Sequence, residues 1–165
     1  MKKIFLSAAM LIGLAFSTQA QEISKNAIGL RLGDNDGFGA EVSYQRGLSK
    51  NHRLEFDLGW RDTNHYDAAK LVGIYQWVWN IDGGFNWYAG PGVGVGIYEY
   101  NDHVGPGPHD DDKGAFVLAS GDIGIEYLFD FPLQLSLDFR PEIYLNDYRD
   151  DNFGADIGLS ARYRF

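Results

Sequence analysis

The sequence predicts an all-β chain, an eight-stranded antiparallel up-and-down barrel that crosses a membrane with its strands. Three observations predict it. Eight segments alternate apolar and polar residues with period two; "GPGVGVG" places glycine at every second position from Gly90 to Gly96; and aromatic residues gather at one end of the oily face.

Fold reasoning starts after a leader. Lys2 and Lys3 precede an apolar run from Ile4 to Phe16, and Ser17, Thr18, Gln19 and Ala20 follow. That order is the one of a secretory signal peptide over 1–20, with cleavage expected after Ala20 and a barrel domain over 21–165. The run is shorter than the roughly 20 residues a spanning helix needs. The chain has no cysteine, which excludes a disulfide framework and a lipidated cysteine. Without Lys2 and Lys3 the formal charge moves from −9 to −11, an acidity that argues against nucleic acid as a partner.

The segments fall at about 27–33, 38–46, 53–61, 70–80, 85–98, 115–129, 133–143 and 154–165, with Gly, Asp, Asn and Pro clusters between them. The first is placed by Arg31 on its polar face, the second by Glu41 and Ser43 against Tyr44. In the third, Leu54, Phe56, Leu58 and Trp60 oppose Glu55, Asp57, Gly59 and Arg61. The fourth is the weakest, because Val72, Ile74 and Val78 make its second face apolar too; Gln76 and Asn80 against Trp77 and Trp79 set its parity. The fifth sets Trp87, Ala89, Val93, Val95 and Ile97 against Tyr88 and the four glycines, with Pro91 interrupting its ladder. The sixth carries Ser120, Asp122, Gly124 and Glu126 opposite Tyr127 and Phe129. In the seventh, Leu133, Leu135, Leu137 and Phe139 oppose Gln134, Ser136, Asp138 and Arg140. The eighth sets Ala155, Ile157, Leu159, Ala161, Tyr163 and Phe165 against Asp156, Gly158, Ser160, Arg162 and Arg164.

Alternation does not say which face is inside. A soluble lipocalin-like barrel turns its oily face inward, a membrane barrel turns it outward. The glycines decide, since Gly59, Gly90, Gly92, Gly94, Gly96, Gly124 and Gly158 all lie on the polar face. The interior of an eight-stranded barrel is only just wide enough for side chains, so the crowded, glycine-bearing face is the inner one. Hairpin topology puts both termini and the short turns near 47–52, 81–84 and 129–132 on the periplasmic side. Tyr44, Trp77, Trp79, Trp87, Tyr127, Phe129, Tyr163 and Phe165 form an interfacial girdle near that end.

Candidate functional residues follow from the same parity. The expected lumen network is Arg31, Glu41, Glu55, Asp57, Arg61, Asp122, Glu126, Asp138, Arg140, Glu142, Asp156, Arg162 and Arg164, paired because buried charges must be. A proton or ion path is the alternative use of these groups, disfavoured by the small bore. The opposite loops, near 34–37, 62–69, 99–114 and 144–153, contribute −10 of the −11. In "EYNDHVGPGPHDDDKG", His103, His109, Asp110, Asp111 and Asp112 form a candidate site for a divalent cation, although a solvated acidic loop accounts for the same run. No other cofactor is expected. A hydrolase would need a serine beside a histidine, but His52, His65, His103 and His109 fall in turns or loops while Ser43, Ser120, Ser136 and Ser160 point inward. An enzyme is not expected.

The leader, the eight alternating segments and the ending "GLSARYRF" resemble the small outer-membrane β-barrels of the OmpA/OmpX type, often labelled porin family. The resemblance implies a bacterial outer-membrane location, outer-membrane lipids as partners and handling by the barrel-assembly machinery. The assembly signal it implies is the ending, with Phe165, Tyr163 and Gly158. The expected function is a monomeric structural or surface-interaction barrel displaying acidic loops. The alternatives are a small-solute or ligand barrel and, last, a lipid-modifying enzyme. The family hosts many roles, so fold alone does not choose among them.

Overall fold

The computed structural model describes residues 23–33, 39–62, 66–100, 113–146 and 152–165. They form β1 (Asn26–Leu32), β2 (Ala40–Gly47), β3 (His52–Asp62), β4 (Tyr66–Asp82), β5 (Phe85–Tyr100), β6 (Lys113–Leu128), β7 (Leu133–Tyr144) and β8 (Phe153–Arg164). Each strand pairs antiparallel with the next, and β1 pairs with β8 from Ala27↔Arg164 to Leu32↔Leu159, so the sheet closes on itself. Phe165 extends the closure, exchanging backbone hydrogen bonds of 2.9 and 3.1 Å with Asn26.

All eight expected segments are strands. The largest boundary shift is at the start of β4, which lies at Tyr66 because β4 stays paired with β3 to Asp62↔Asp67 and with β5 to Tyr66↔Tyr100. The short turns all fall at one end. Between β4 and β5 the turn is Gly83–Gly84, where Gly83 has φ 51°; glycine takes this left-handed conformation without a Cβ clash. Asn80 ties the turn down by donating to the Gly83 and Phe85 carbonyls.

The barrel is oily outside and polar inside. Val93 is 68 % exposed and Ile97 63 %, while Asp57, Lys70 and Arg140 are 0 % exposed. Val72, Ile74 and Val78 do face inward, as the parity read from Gln76 requires. An unbroken belt of exposed Leu, Ile, Val, Phe and Trp is a surface for hydrocarbon rather than for water. The wall is uneven in height: β4, β5 and β6 have 17, 16 and 16 residues, but β1 and β2 only 7 and 8.

The glycine stripe of β5 is a row of seats for its neighbours. A Cβ on Gly92 would strike Ser120 Oγ and Ile74, one on Gly94 would crowd Leu118 and Val72, and one on Gly96 would strike the Phe116 ring. Across the same pair Gly124 on β6 seats the Tyr88 ring. Two prolines interrupt the flanking ladders at the same height. Pairing of β4 with β5 passes from Ile74↔Gly92 to Trp77↔Ala89 beside Pro91, and pairing of β6 with β7 passes from Ser120↔Glu142 to Ile123↔Phe139 beside Pro141. Neither proline has an N–H to give.

At the β1–β8 closure the close approach is to backbone. A Cβ on Gly29 would strike the Ala161 carbonyl, whereas one on Gly73 would meet the Phe56 ring at an ordinary 3.5 Å. Gly29→Ala is therefore expected to lower unfolding stability in detergent by about 1–3 kcal/mol, the range for a small-to-large change in a packed site. Gly73→Ala is expected to stay within about 0.5 kcal/mol. Urea denaturation of the two variants side by side checks both.

Candidate functional site

The polar positions of eight strands converge on one interior. Eight carboxylates are buried there (Glu41, Glu55, Asp57, Asp122, Glu126, Asp138, Glu142 and Asp156) with five bases (Arg31, Arg53, Lys70, Arg140 and Arg162). The carboxylates are those expected from strand parity. Two of the bases are not.

Arg61 has the inward parity but is exposed at the loop-end rim, because β3 continues past the top of the charged interior. It lines a cavity of about 610 Å³ with Trp60, Ala68, Ile97 and Tyr98. Arg164 has the inward parity at the other end. Its Nη2 donates to the carbonyls of Phe129 and Phe131 in the β6–β7 turn, at 2.9 Å to Phe131, so it serves as a turn clamp. Their places in the network are taken by Arg53 and Lys70, the second residue of β3 and the fifth of β4. The signal for both was present, since each shares parity with its neighbours Glu55 and Gln76.

Three arginines divide five of the carboxylates among them. Arg31 donates through Nε and Nη2 to Asp138 Oδ1 at 3.0 and 2.6 Å, and through Nη1 to Asp156 at 2.7 Å and Glu41 at 3.0 Å. Its guanidinium rests where Gly158 has no side chain. Arg140 reaches Asp57 at 2.6 Å and both Glu41 and Glu55 at 3.3 Å. Arg162 donates to Ser43 and Ser136, each at 2.8 Å, and lies 3.1 Å from Glu55.

A second tier lies toward the turns. Arg53 donates to Glu126 at 2.6 Å and to Gln76 at 2.5 Å, and it sits 4.7 Å over the Tyr88 ring. Asn86 and Gln134 complete Glu126 at 3.0 and 2.8 Å. Toward the loops, Lys70 donates to Glu142 at 3.0 Å, and the Tyr144 hydroxyl donates to the other Glu142 oxygen at 2.9 Å. Above this tier Ala68, Phe116, Leu118 and Tyr144 pack together as an apolar cap. Chemically the arrangement is a packed electrolyte: each base holds a carboxylate, and the groups with acid–base capacity are closed off from solvent.

Elsewhere the residues picked out from sequence are dispersed. Phe165 and Tyr163 lie on the outer wall, 62 % and 59 % exposed, their rings 6.4 Å apart. Gly158 faces inward instead, under Arg31. His103, His109, Asp110, Asp111 and Asp112 lie outside the described residues, as do His65 and residues 1–22. His52 is on the outer wall at the turn end, hydrogen-bonded to the Tyr75 hydroxyl at 2.7 Å. Two of the inward serines, Ser43 and Ser136, are held by Arg162.

Removing one partner of a buried ion pair strands the others, at a cost of about 3–5 kcal/mol. Arg140→Ala leaves Glu41, Glu55 and Asp57 short of a base and is expected to lose that much in a denaturant titration. Lys113 and Glu99 pair at 2.8 Å but in the open, and Lys113→Ala is expected to leave the midpoint where it was.

No family model and no curated protein matches the chain. Solved structures do. Neisserial surface protein A aligns with a TM-score of 0.57 at 10 % identity, over 85 % of this chain and 94 % of that one. Ail, the attachment invasion locus protein of Yersinia pestis, aligns with a TM-score of 0.52 at 15 % identity, over 86 % and 97 %. A de novo designed transmembrane β-barrel aligns with a TM-score of 0.53 at 13 % identity, over 89 % and 100 %. At such identities the likeness is one of architecture, and a designed member shows that the architecture needs no biological role. The chain has the fold of the small eight-stranded outer-membrane β-barrels.

Proposed function

We propose that this chain is an integral protein of the bacterial outer membrane with a structural and surface-interaction role, presenting acidic loops on a rigid, sealed barrel. The observation that carries the reading is the lumen. Arg31, Asp57, Lys70, Glu142 and Arg140 are at most 1 % exposed, and the Phe116–Leu118–Tyr144 cap lies over them. A pore or carrier needs polar groups that a solute can reach, and here those groups are spent on one another.

The apolar belt supports membrane insertion, and the short turns at the end that carries both described termini support the usual orientation, with turns in the periplasm. The ending supports handling by the assembly machinery, since Phe165 sets an aromatic ring at the interface end of the closing strand. The barrel is proposed to act as a monomer, without catalytic chemistry. The loop sequences supply the surface role: twelve acids stand against Lys113 and Arg149, a field that repels anions and attracts basic partners. Two of the structural neighbours carry names of surface or attachment proteins. A ligand-binding barrel is the second reading, favoured by the rim cavity between Trp60, Ile97 and Tyr98.

Planar bilayers separate the two uses of the lumen. The refolded protein is expected to show no stable single-channel openings. Openings that vanish on neutralising Asp138 or Arg140 would establish a conducting path through the network and displace the structural reading.

A further inference from the structure

Asp122 differs from the other seven buried lumen carboxylates, because among the described residues no base pairs with it. It is 4 % exposed. Its Oδ2 accepts a 2.5 Å hydrogen bond from the Gln76 amide, and its Oδ1 has no partner. Its cross-strand partner on β5 is Gly90, which offers no side chain.

The surroundings repeat the deficit. Gly124, two residues along β6, pairs with Tyr88 on one side and Asp138 on the other. The Tyr88 ring lies over Gly124, fully buried, with its hydroxyl unpartnered. Asp138 gives Oδ1 to Arg31 and leaves Oδ2 unpartnered. The unpartnered Oγ of Ser120 lies elsewhere, over Gly92, four residues along β6 from Gly124. Three orphaned oxygens, those of Tyr88, Asp122 and Asp138, therefore lie around Gly124 on β5, β6 and β7. Buried polar atoms are almost always satisfied, so such a group points to an occupant.

Charge selects the occupant. The interior holds eight carboxylates and five bases, and an uncompensated buried carboxylate is costly. Two carboxylate oxygens and one hydroxyl oxygen are hard donors suited to a bare cation. No group of three or more His, Cys, Asp or Glu side chains fit for a metal comes together among the described residues, so the charge and ligand count of a divalent site are lacking. We propose that the region bounded by Tyr88, Asp122 and Asp138 binds one monovalent alkali cation, which serves as the missing counter-charge of Asp122.

Thallium(I) reports on such a site, because it replaces potassium and scatters anomalously. Crystals of the refolded barrel exchanged from potassium into thallium(I) salt are expected to show an anomalous peak between Asp122 Oδ1 and Asp138 Oδ2. The peak should be lost in Asp122→Asn, or reduced in Tyr88→Phe should the first variant fail to refold. A water-sized density with no anomalous signal would overturn the proposal, leaving a neutral Asp122 bridged by water. A peak of unchanged height in the variant that refolds would overturn the assignment to these residues.

Discussion

Thirteen ionisable side chains share the interior of a barrel whose bore leaves room for side chains and little else. None can be hydrated in the ordinary way, so all the bases, and every carboxylate but Asp122, pair with an opposite charge on another strand. Arg31 on β1 meets carboxylates from β2, β7 and β8; Arg140 on β7 meets those of β2 and β3. The Arg31–Asp138 bond and those of Arg140 run across the bore, between strands that are not neighbours in the sheet, while Glu41 and Asp156 hold Arg31 to its two flanking strands. The ladder closes the barrel, and the network ties its opposite walls.

The pairing constrains the rest of the sequence. Guanidinium groups take space, and Gly158 supplies it beneath Arg31. Where the interior turns apolar, toward the loops of β4–β6, the β5 glycines make room for Ser120, Leu118 and Phe116 from β6. The alternation of "GPGVGVG" from Gly92 to Gly96 is thus the imprint of side chains from the adjacent strand, while at Gly90 the close approach is to the Tyr75 carbonyl of β4. Pro91 and Pro141, which have no N–H to donate, leave two local gaps in the ladder. A buried ion network is not in itself a source of great stability, because desolvation offsets much of the Coulomb gain. Its effect here is to make partial disassembly expensive.

Period-two alternation reports the face of a residue and says nothing of its height. The eight lumen carboxylates were legible because each lies inside an alternating segment, where face is the only question. Arg61 and Arg164 have the correct face at the wrong height: one stands at the rim and the other clamps a turn. Arg53 and Lys70 opened their segments, where a strand and its loop look alike in sequence, and Val72, Ile74 and Val78 hid the polar parity of β4. Height depends on strand register, which is a property of pairing rather than of one strand. The partition of carboxylates among Arg31, Arg140 and Arg162, and the isolation of Asp122, lay beyond sequence reasoning for the same reason. They require knowing which strands face each other across the bore.

The paired interior and the glycine seats both depend on the oily face being the outer one. The chain's four tryptophans, Trp60, Trp77, Trp79 and Trp87, report on it together, since all four are exposed on the outer wall at 37–55 %. Their fluorescence in reconstituted bilayers should be strongly quenched by lipids brominated along the acyl chain. Iodide in the bulk solution should quench it little. Emission that ignores the brominated lipids would mean that the tryptophans point into the barrel, and would contradict an interior built from paired charges.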